Sequence, residues 1–405
     1  MHLLANPVKD YAWGSRTDIA ALTGRPVPAP GPEAEMWLGA HPAGPSRLDG
    51  DGRSLAELAA ADPAGVLGAA TADRYGGRLP YLMKLIAVDR PLSLQVHPTA
   101  EQAAHGHARG VYGDPWPKPE LVCAITPFTA LAGFRDGGQA AMLVGRLGVR
   151  ELREVTELLA AGSLLDALAA LLERREAAER IAWAASAVHH PDYALVARLA
   201  RLYPGDPACL APLLLRRHEL APGQALFLGA GVLHCYLRGF GVEIMGASDN
   251  VMRAGLTPKP LNVPELLRVT DPGAAPAAVE AGPGGLYPTP APEFRLRRIE
   301  ARTERPGNGG PDGNGGRDGD GGRDGDGRRD GDARPAGGEG AGGVTRLTGG
   351  LPRILLCTRG TATAGGLRLE AGRSAFVPAA RAEVAVDPGD GVVFCAEPGG
   401  PQGSS

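Results

Sequence analysis

A change of pattern partway along the chain does most to limit the folds open to it. Up to about Phe134 the sequence consists of short apolar runs broken by Gly and Pro, a pattern typical of strands and turns. From 139 to 215 it is rich in Ala, Leu, Glu and Arg, and leucines such as Leu164, Leu168 and Leu171 recur at helical spacing. Strand-like runs then resume. The sequence therefore predicts a mainly β protein with a helical insertion.

Two segments far apart in the chain follow the same outline. Gly223 and Gly372 each precede a short apolar strand that contains a phenylalanine and ends at a turn. Both segments look like the paired strands of a cupin, so we expect two cupin-like (jelly-roll) β-barrels plus an α-helical domain. In this alignment His234, a candidate metal ligand of the first copy, falls on Glu383, so the second copy lacks the histidine. The second copy is therefore predicted to be structural or interfacial and not a second metal centre.

A low-complexity stretch divides the β-rich parts. Within 306–343 the hexapeptide Gly-Gly-Arg-Asp-Gly-Asp occurs twice, but no large apolar residue recurs that could stack into a core. We predict a disordered Gly/Asp/Arg-rich linker. The predicted organisation is a catalytic cupin domain with the metal site in 1–138 and 216–300, a helical domain in 139–215, the linker in 306–343, and a C-terminal cupin-like domain in 344–397.

Gln95-Val96-His97 offers two polar side chains that a strand would point to the same side. By itself this spacing is more typical of a solvated strand face. Two further segments, Lys118-Pro119-Glu120 and the run that ends at His234, add a carboxylate and a second imidazole beside strand-like stretches. Imidazole nitrogen with carboxylate and amide oxygen suits zinc in a catalytic site that keeps an exchangeable position.

Five ordered blocks between the start of the chain and about Pro260 carry a more specific signal. They occupy residues 10–15, 35–46, 92–98, 118–128 and 248–259. Among them are Leu-Ser-Leu-Gln-Val-His-Pro, Lys-Pro-Glu-Leu-Val-Cys-Ala-Ile-Thr-Pro-Phe and Ser-Asp-Asn-Val-Met-Arg-Ala-Gly-Leu-Thr-Pro-Lys. Together these blocks resemble the signature blocks of type I mannose-6-phosphate isomerases, which belong to the cupin superfamily.

The resemblance implies a role for each matching residue. One zinc ion per chain would be held by Gln95, His97, Glu120 and His234. The catalytic residues would be Arg253, Lys118 and Asp249. The substrate would be bound by Ser93 and Lys259. One position departs from the family, because many relatives carry histidine immediately before Lys-Pro-Glu, where this chain has Pro117. A mechanism that gives a proton to that histidine does not transfer to this chain.

The implied activity is the zinc-dependent interconversion of D-mannose 6-phosphate and D-fructose 6-phosphate, which supplies mannose for GDP-mannose and glycan synthesis or for glycolysis. A proton moves between C1 and C2 through an enediol. The site must therefore stabilise charge on the carbonyl oxygen, as zinc can, and must also supply a base.

Three groups stay open as the one that moves the proton, namely Lys118, Asp249 and a water molecule on the metal. Arg253 is a poor base but a good clamp for an enediolate or phosphate. Ordinary surface ion pairs would also account for such side chains.

Charge and cysteine content limit the partners and the compartment. The formal net charge of −3 indicates no bulk basic character, so we expect a small sugar phosphate and not nucleic acid as the partner. The five cysteines form no Cys-x-x-Cys pair, the start lacks a signal-peptide pattern, and no apolar run could span a bilayer. We therefore expect a cytoplasmic protein that does not bind membranes. Oligomeric state is not readable from these patterns.

Two other classes of function stay open at this level. Cupin barrels host many reactions, so one alternative is another metal-dependent enzyme, such as a dioxygenase. No redox-type ligand set or second acidic cluster in the sequence favours it. The other alternative is a non-enzymatic sugar-binding cupin, against which the presence of both Glu120 and His234 argues.

Overall fold

The computed structural model describes residues 1–301 and 343–400, and these combine sheet and helix. The strands are β1 (His2–Ala5), β2 (Val8–Lys9), β3 (Glu35–Leu38), β4 (Arg47–Leu48), β5 (Tyr81–Val88), β6 (Leu94–Val96), β7 (Glu120–Ala124), β8 (Phe128–Phe134), β9 (Leu215–Leu220), β10 (Ala225–Leu228), β11 (His234–Gly246), β12 (Met252–Gly255), β13 (Ala277–Val279), β14 (Leu286–Tyr287), β15 (Arg295–Glu300), β16 (Thr345–Thr348), β17 (Arg353–Arg359), β18 (Thr361–Ala364), β19 (Leu367–Glu370), β20 (Ser374–Val377), β21 (Glu383–Asp387) and β22 (Val392–Glu397).

The α-helices are α1 (Asp18–Leu22), α2 (Leu55–Ala61), α3 (Pro63–Leu67), α4 (Ala69–Tyr75), α5 (Ala100–Ala108), α6 (Gly137–Gly145), α7 (Arg153–Ala160), α8 (Leu164–Leu172), α9 (Ala178–Ser186), α10 (Pro191–Leu202), α11 (Ala211–Leu214) and α12 (Val263–Val269). Short 3-10 helices occupy Arg150–Leu152, Arg175–Ala177, Pro207–Leu210 and Pro283–Gly285.

The largest sheet has eleven strands and contains the blocks that the sequence singled out. Its main path runs β13-β10-β7-β11-β5-β3-β2. The long strand β11 pairs through its first residues with β6 and β8, and through its later residues with β5 and β7. Strand β6 also pairs with β12. One long strand therefore gathers all the segments that carry candidate ligands.

Two smaller sheets contain the C-terminal strands. Their orders are β14-β15-β22-β17-β20-β1-β4 and β16-β21-β18-β19. The first sheet includes β1, β4, β14 and β15, which come from ranges that the sequence assigned to the catalytic domain. These strands pair with C-terminal ones because backbone pairing depends on which edges meet in space and not on distance along the chain. The apolar side of this sheet shares a core with the large sheet, through residues such as Leu4, Met83 and Phe376.

The mixture of sheet and helix agrees with the prediction from sequence. The strand order of each sheet runs between edge strands, so the described residues form open sheets and not closed barrels. The prediction of closed barrels is therefore not supported, and the cupin-like (jelly-roll) architecture of the sheets stays a prediction. The C-terminal repeat does adopt the expected local form, because Gly223 and Gly372 have φ values of 90° and 82°, and each precedes a buried strand, β10 or β20.

The residues from Gly137 to Leu214 are mostly helical. Their buried leucines share one apolar core with Leu94 and Val96 of β6 and with Leu233 and Cys235 around the start of β11. The Sγ atom of Cys235 lies 3.0 Å from the carbonyl oxygen of Leu92, away from the histidine before it. Packing of the helices against these strands thus supports the segments that carry the candidate ligands.

Two predictions concern other parts of the chain. Residues 306–342 of the predicted linker lie outside the described residues. Within the described ranges, no helix combines the length and the apolar character needed to cross a membrane.

Candidate metal centre and adjoining cavity

Three of the four predicted ligands converge in the interior of the protein. His97 follows β6, Glu120 begins β7 and His234 begins β11, and all three side chains are buried. The Nε2 atom of His97 lies 3.2 Å from Oε1 of Glu120, and Nε2 of His234 lies 3.4 Å from Oε2 of the same carboxylate. One potential ligand atom from each residue lies within 4.8 Å of the others.

The hydrogen bonds of the two histidines determine which ring nitrogen is available. Nδ1 of His97 lies 3.0 Å from the carbonyl oxygen of Asn250, and Nδ1 of His234 lies 2.9 Å from that of Val232. A carbonyl oxygen can only accept, so each Nδ1 donates its proton and each neutral ring keeps a lone pair on Nε2. This arrangement is common in histidines that ligate metals.

The atoms that face each other fit a cation. Among the described residues, both Nε2 atoms and Oε2 of Glu120 are buried without a hydrogen-bond partner. Lone pairs of two imidazoles and a carboxylate repel one another in a medium of low polarity unless a positive charge lies between them. The donor set, two nitrogens and a carboxylate oxygen, is the one that zinc prefers.

Burial and nearby charges set the protonation of these groups. Burial lowers the pKa of His97 to about 4, which keeps the imidazole neutral. Burial alone would raise the pKa of Glu120, but the charge of nearby Lys118 helps to hold this pKa well below its usual range. The ammonium of Lys118 lies 3.6 Å from Oε1 of Glu120 and is itself buried. Glu120 is therefore an anion at neutral pH.

Gln95, the fourth predicted ligand, lies beside this group. It is the strand partner of His234 on one side and of Arg253 on the other. Its amide oxygen accepts a long hydrogen bond, 3.5 Å, from the hydroxyl of Ser93. Both residues line the adjoining cavity.

A cavity of about 470 Å³ opens next to Glu120. Every predicted catalytic and substrate-binding residue lines it, namely Arg253, Lys118, Asp249, Ser93 and Lys259. Burial lowers the pKa of Arg253, and burial together with Arg253 lowers that of Lys259. Asp249 is largely exposed, and its Oδ1 lies 3.5 Å from Nε2 of His41. The cavity is large enough for a sugar phosphate.

The lining of the cavity also contains a buried ionic network that the sequence analysis missed. The Nζ atom of Lys84 lies 3.5 Å from Oε1 of Glu35 and 3.2 Å from Oε2 of Glu243. The indole N–H of Trp37 donates to Oε2 of Glu35 at 2.6 Å. Burial acts to lower the pKa of Lys84, but the two carboxylates raise it overall, so the lysine stays charged. Lys84 and Glu243 are ionic residues inside otherwise apolar strands, which is a signal that could have revealed them.

The C-terminal repeat has no comparable site among the described residues. Glu383, which aligns with His234, is exposed and forms an ion pair with Arg346 at 2.7 Å. Within 1–301 and 343–400, the group of His97, Glu120 and His234 is the one in which potential ligand atoms of histidine, cysteine or carboxylate side chains lie close enough together to hold a metal ion.

Comparison with known proteins supports a family assignment. Residues 1–137 match the family model for the catalytic domain of type I phosphomannose isomerase. Mannose-6-phosphate isomerase of Escherichia coli K12 is 35% identical over 322 residues, which cover 73% of this chain and 82% of that protein. The human protein of the same name is 32% identical over 343 residues, which cover 73% of this chain and 81% of the human protein.

Solved structures of related proteins resemble this chain over almost its whole length. A crystal structure of mannose 6-phosphate isomerase bound with zinc and yttrium has a TM-score of 0.79 and 29% identity, covering 98% of this chain and 99% of that one. An alanine variant of phosphomannose isomerase from Salmonella typhimurium has a TM-score of 0.80 with the same identity and coverage. Given these similarities in sequence and structure, the chain belongs to the type I mannose-6-phosphate isomerase family.

Proposed function

We propose that this protein is a zinc-dependent aldose–ketose isomerase that interconverts D-mannose 6-phosphate and D-fructose 6-phosphate. The observation that carries the proposal is the convergence of His97, Glu120 and His234 beside a cavity whose lining includes the cations Arg253 and Lys259. The names of the relatives support the same activity. Neither the dioxygenase nor the non-enzymatic alternative has an observation in its favour.

We propose that one zinc ion is held by His97, Glu120 and His234, with Gln95 as the fourth protein ligand. The two Nε2 lone pairs and the ionised carboxylate support this assignment, as does the zinc in a related structure. When bound, zinc supplies a Lewis acid for charge that develops on the sugar oxygen. Metal analysis should give close to one zinc per chain, and two tightly held ions would contradict the proposal that the C-terminal unit has no metal centre.

We propose that Arg90 and Lys259, two cations that line the cavity, bind the phosphate. Among the described residues, neither cation has a carboxylate within ion-pair distance, whereas Lys84 and Lys118 do. A phosphate dianion is attracted to cations whose charge is not already balanced, and Arg can bind it through two parallel hydrogen bonds. The sugar would then extend from these cations toward Glu120.

Lys118 and Asp249 are our candidates for the proton transfer between C1 and C2. Lys118 is buried near the metal centre, and Asp249 lies on the more exposed side of the cavity. Arg253 is proposed to clamp the negative charge of the enediol-like transition state, because a guanidinium stays protonated and cannot act as a base. The hydroxyl of Ser93 donates to Gln95, and it would accept a hydrogen bond from a hydroxyl group of the substrate.

We further propose the domain organisation and location. Residues 1–138 and 216–300 would form the catalytic unit, 139–215 a helical unit and 344–397 a second unit, with cupin-like architecture in both β-rich parts. Most residues of the cavity come from the first unit, which supports this division, although β1, β4, β14 and β15 join the sheet of the C-terminal strands. The five cysteines are free and buried, which supports a reducing, cytoplasmic setting.

The experiment is a coupled assay of the purified protein with mannose 6-phosphate, with and without a chelator. We expect isomerisation that the chelator abolishes and added zinc restores. Free mannose provides the comparison for the phosphate, and it should react far more slowly because Arg90 and Lys259 would have no phosphate to bind. If zinc-loaded protein shows no chelator-sensitive isomerisation, the proposed function is wrong.

A further inference from the structure

Strand β12 is irregular directly after Arg253. Arg253 pairs with Gln95 and Gly255 pairs with Leu94, and the register shifts between these two pairs. Leu256 follows with φ of 55°, the only positive value among the non-glycine residues in the described ranges. Leucine rarely adopts this backbone conformation, so neighbouring groups must hold it in place. A bulge of this kind changes the direction in which a nearby side chain points.

A carboxylate from the helical region holds the distorted backbone. Oδ2 of Asp206 accepts the backbone N–H of Leu256 at 2.6 Å, and Oδ1 accepts that of Ala208 at 2.9 Å. The two segments touch closely, since a Cβ atom on Gly255 would lie 2.4 Å from Cβ of Ala208. Hydrogen bonds to an ionised carboxylate are stronger than those between neutral groups. Asp206 is thus the direct support of the bulge beside Arg253.

The same short segment also contacts the other wall of the cavity. The hydroxyl of Tyr203 donates to the carbonyl oxygen of Pro91 at 2.6 Å. Pro91 lies two residues before Ser93, in the chain that enters β6. Tyr203 itself lines the cavity. The residues just after α10 therefore contact the backbone that leads to Ser93 and Gln95 and the backbone that follows Arg253.

We propose that Tyr203 and Asp206 are positioning residues that hold these two walls at the spacing needed for the substrate. The proposal rests on the proposed isomerase function. Orientation of reacting groups contributes strongly to catalysis, and a displacement of about 1 Å can cost on the order of 100-fold in rate. By this role the helical region contributes to the active site through backbone support, in addition to its packing in the core.

The first test examines the hydrogen bond between Asp206 and the backbone N–H of Leu256, and it needs no activity assay. Hydrogen–deuterium exchange should be compared for the zinc-loaded wild type, Asp206→Ala and Asp206→Asn. In Asp206→Ala the peptide that contains Leu256 should exchange faster, while peptides of β7 stay unchanged. Asp206→Asn keeps one oxygen acceptor and should restore much of the protection. Unchanged exchange around Leu256 in Asp206→Ala would overturn the proposal, whatever the protein catalyses.

The second test measures kinetics. Asp206→Ala should lower kcat/KM for mannose 6-phosphate by roughly 10- to 100-fold at unchanged zinc content, with Asp206→Asn closer to the wild type. Tyr203→Phe removes only the hydroxyl, should fold in any case, and should raise KM. Asp387→Ala is the matched control, because Asp387 accepts a backbone N–H from Gly389 at an exposed turn outside the cavity. Wild-type kinetics in both Asp206→Ala and Tyr203→Phe would overturn the proposal, and an inactive wild type would instead contradict the proposed function.

Discussion

Gln95 and His234 lie directly opposite each other on the antiparallel strands β6 and β11, although the helical region separates them in the sequence. This pairing places the amide of Gln95 beside the imidazole that completes the group around Glu120. It also sets the register for Arg253, which pairs with Gln95 from the other side. The metal centre and the cavity are therefore joined at one strand.

Replacing His97 by alanine should remove both zinc and turnover. His97 is fully buried and its Nε2 faces Glu120 at 3.2 Å, so nearby water cannot easily replace it as a ligand. Loss of a direct ligand should cost more than about 100-fold in activity, which exceeds the usual effect of removing a group that only supports a ligand. Metal analysis alongside the assay measures both effects. His189→Ala, at an exposed position, is the control. A variant at His97 that keeps zinc and activity would exclude this residue as a ligand.

Replacing Arg253 by alanine should spare the zinc and mainly lower turnover. Arg253 lines the cavity, whereas His97 and His234, two of the proposed ligands, are oriented by their own hydrogen bonds to backbone carbonyl groups, and the proposed ligand Glu120 has the Lys118 ammonium 3.6 Å away. Loss of one group that stabilises transition-state charge typically lowers kcat by roughly 100-fold. Steady-state kinetics and zinc content should be measured on the same sample, with Arg346→Ala as a remote arginine control. Should zinc be lost as well, the separation of the two roles is wrong.

Replacing Lys84 by methionine should destabilise the fold. Lys84 lies between two buried carboxylates, Glu35 and Glu243, and its removal leaves them without a cation. Breaking a buried ionic group in this way typically lowers the free energy of unfolding by about 3–5 kcal/mol. Denaturant unfolding measures the loss. Lys9→Met is the matched control, because the half-buried Lys9 lies over the Trp37 ring and donates to the Ala43 carbonyl but, among the described residues, has no carboxylate within ion-pair distance. Equal stability of the two variants would mean that the carboxylates are neutral or solvated.

Deleting residues 306–343 should leave turnover and zinc content nearly unchanged. All residues of the candidate metal centre and the cavity lie between Tyr11 and Lys259. The deleted composition lacks the apolar residues that could contribute to a core. The assay, zinc content and thermal unfolding of the deletion variant should be compared with those of the full chain. A folded variant that has lost activity would assign this segment a role in catalysis.

Residues of the candidate site could be predicted from sequence because they occur in recognisable blocks. Lys118 and Glu120 belong to one block, and Asp249 and Arg253 to another, so the resemblance identified them without knowledge of contacts. The buried network of Lys84 was missed because its partners, Glu35 and Glu243, come from different strands. Periodicity within one strand shows which side a residue faces but not which residue of another strand lies opposite.

The fold was predicted at the level of sheet, helix and their order. Hydrophobic periodicity indicates helices such as α8, since Leu168 and Leu171 share one buried face. The pairing of β1 with β20 across almost the full length of the chain has no local signal. Pairings between distant strands depend on packing of the whole core, through which the seven-stranded and eleven-stranded sheets share apolar residues.

The sequence by itself determined the identity of the candidate ligands and the chemistry that they can support, because residue type decides which atoms can bind zinc, carry charge or move a proton. Only the tertiary structure decided which nitrogen of His97 and His234 is free, since that depends on the carbonyl groups of Asn250 and Val232. It also decided that Asp206 supports the backbone after Arg253. Hydrogen bonds of this kind join atoms that come together only when distant segments pack, so no pattern along the chain records them.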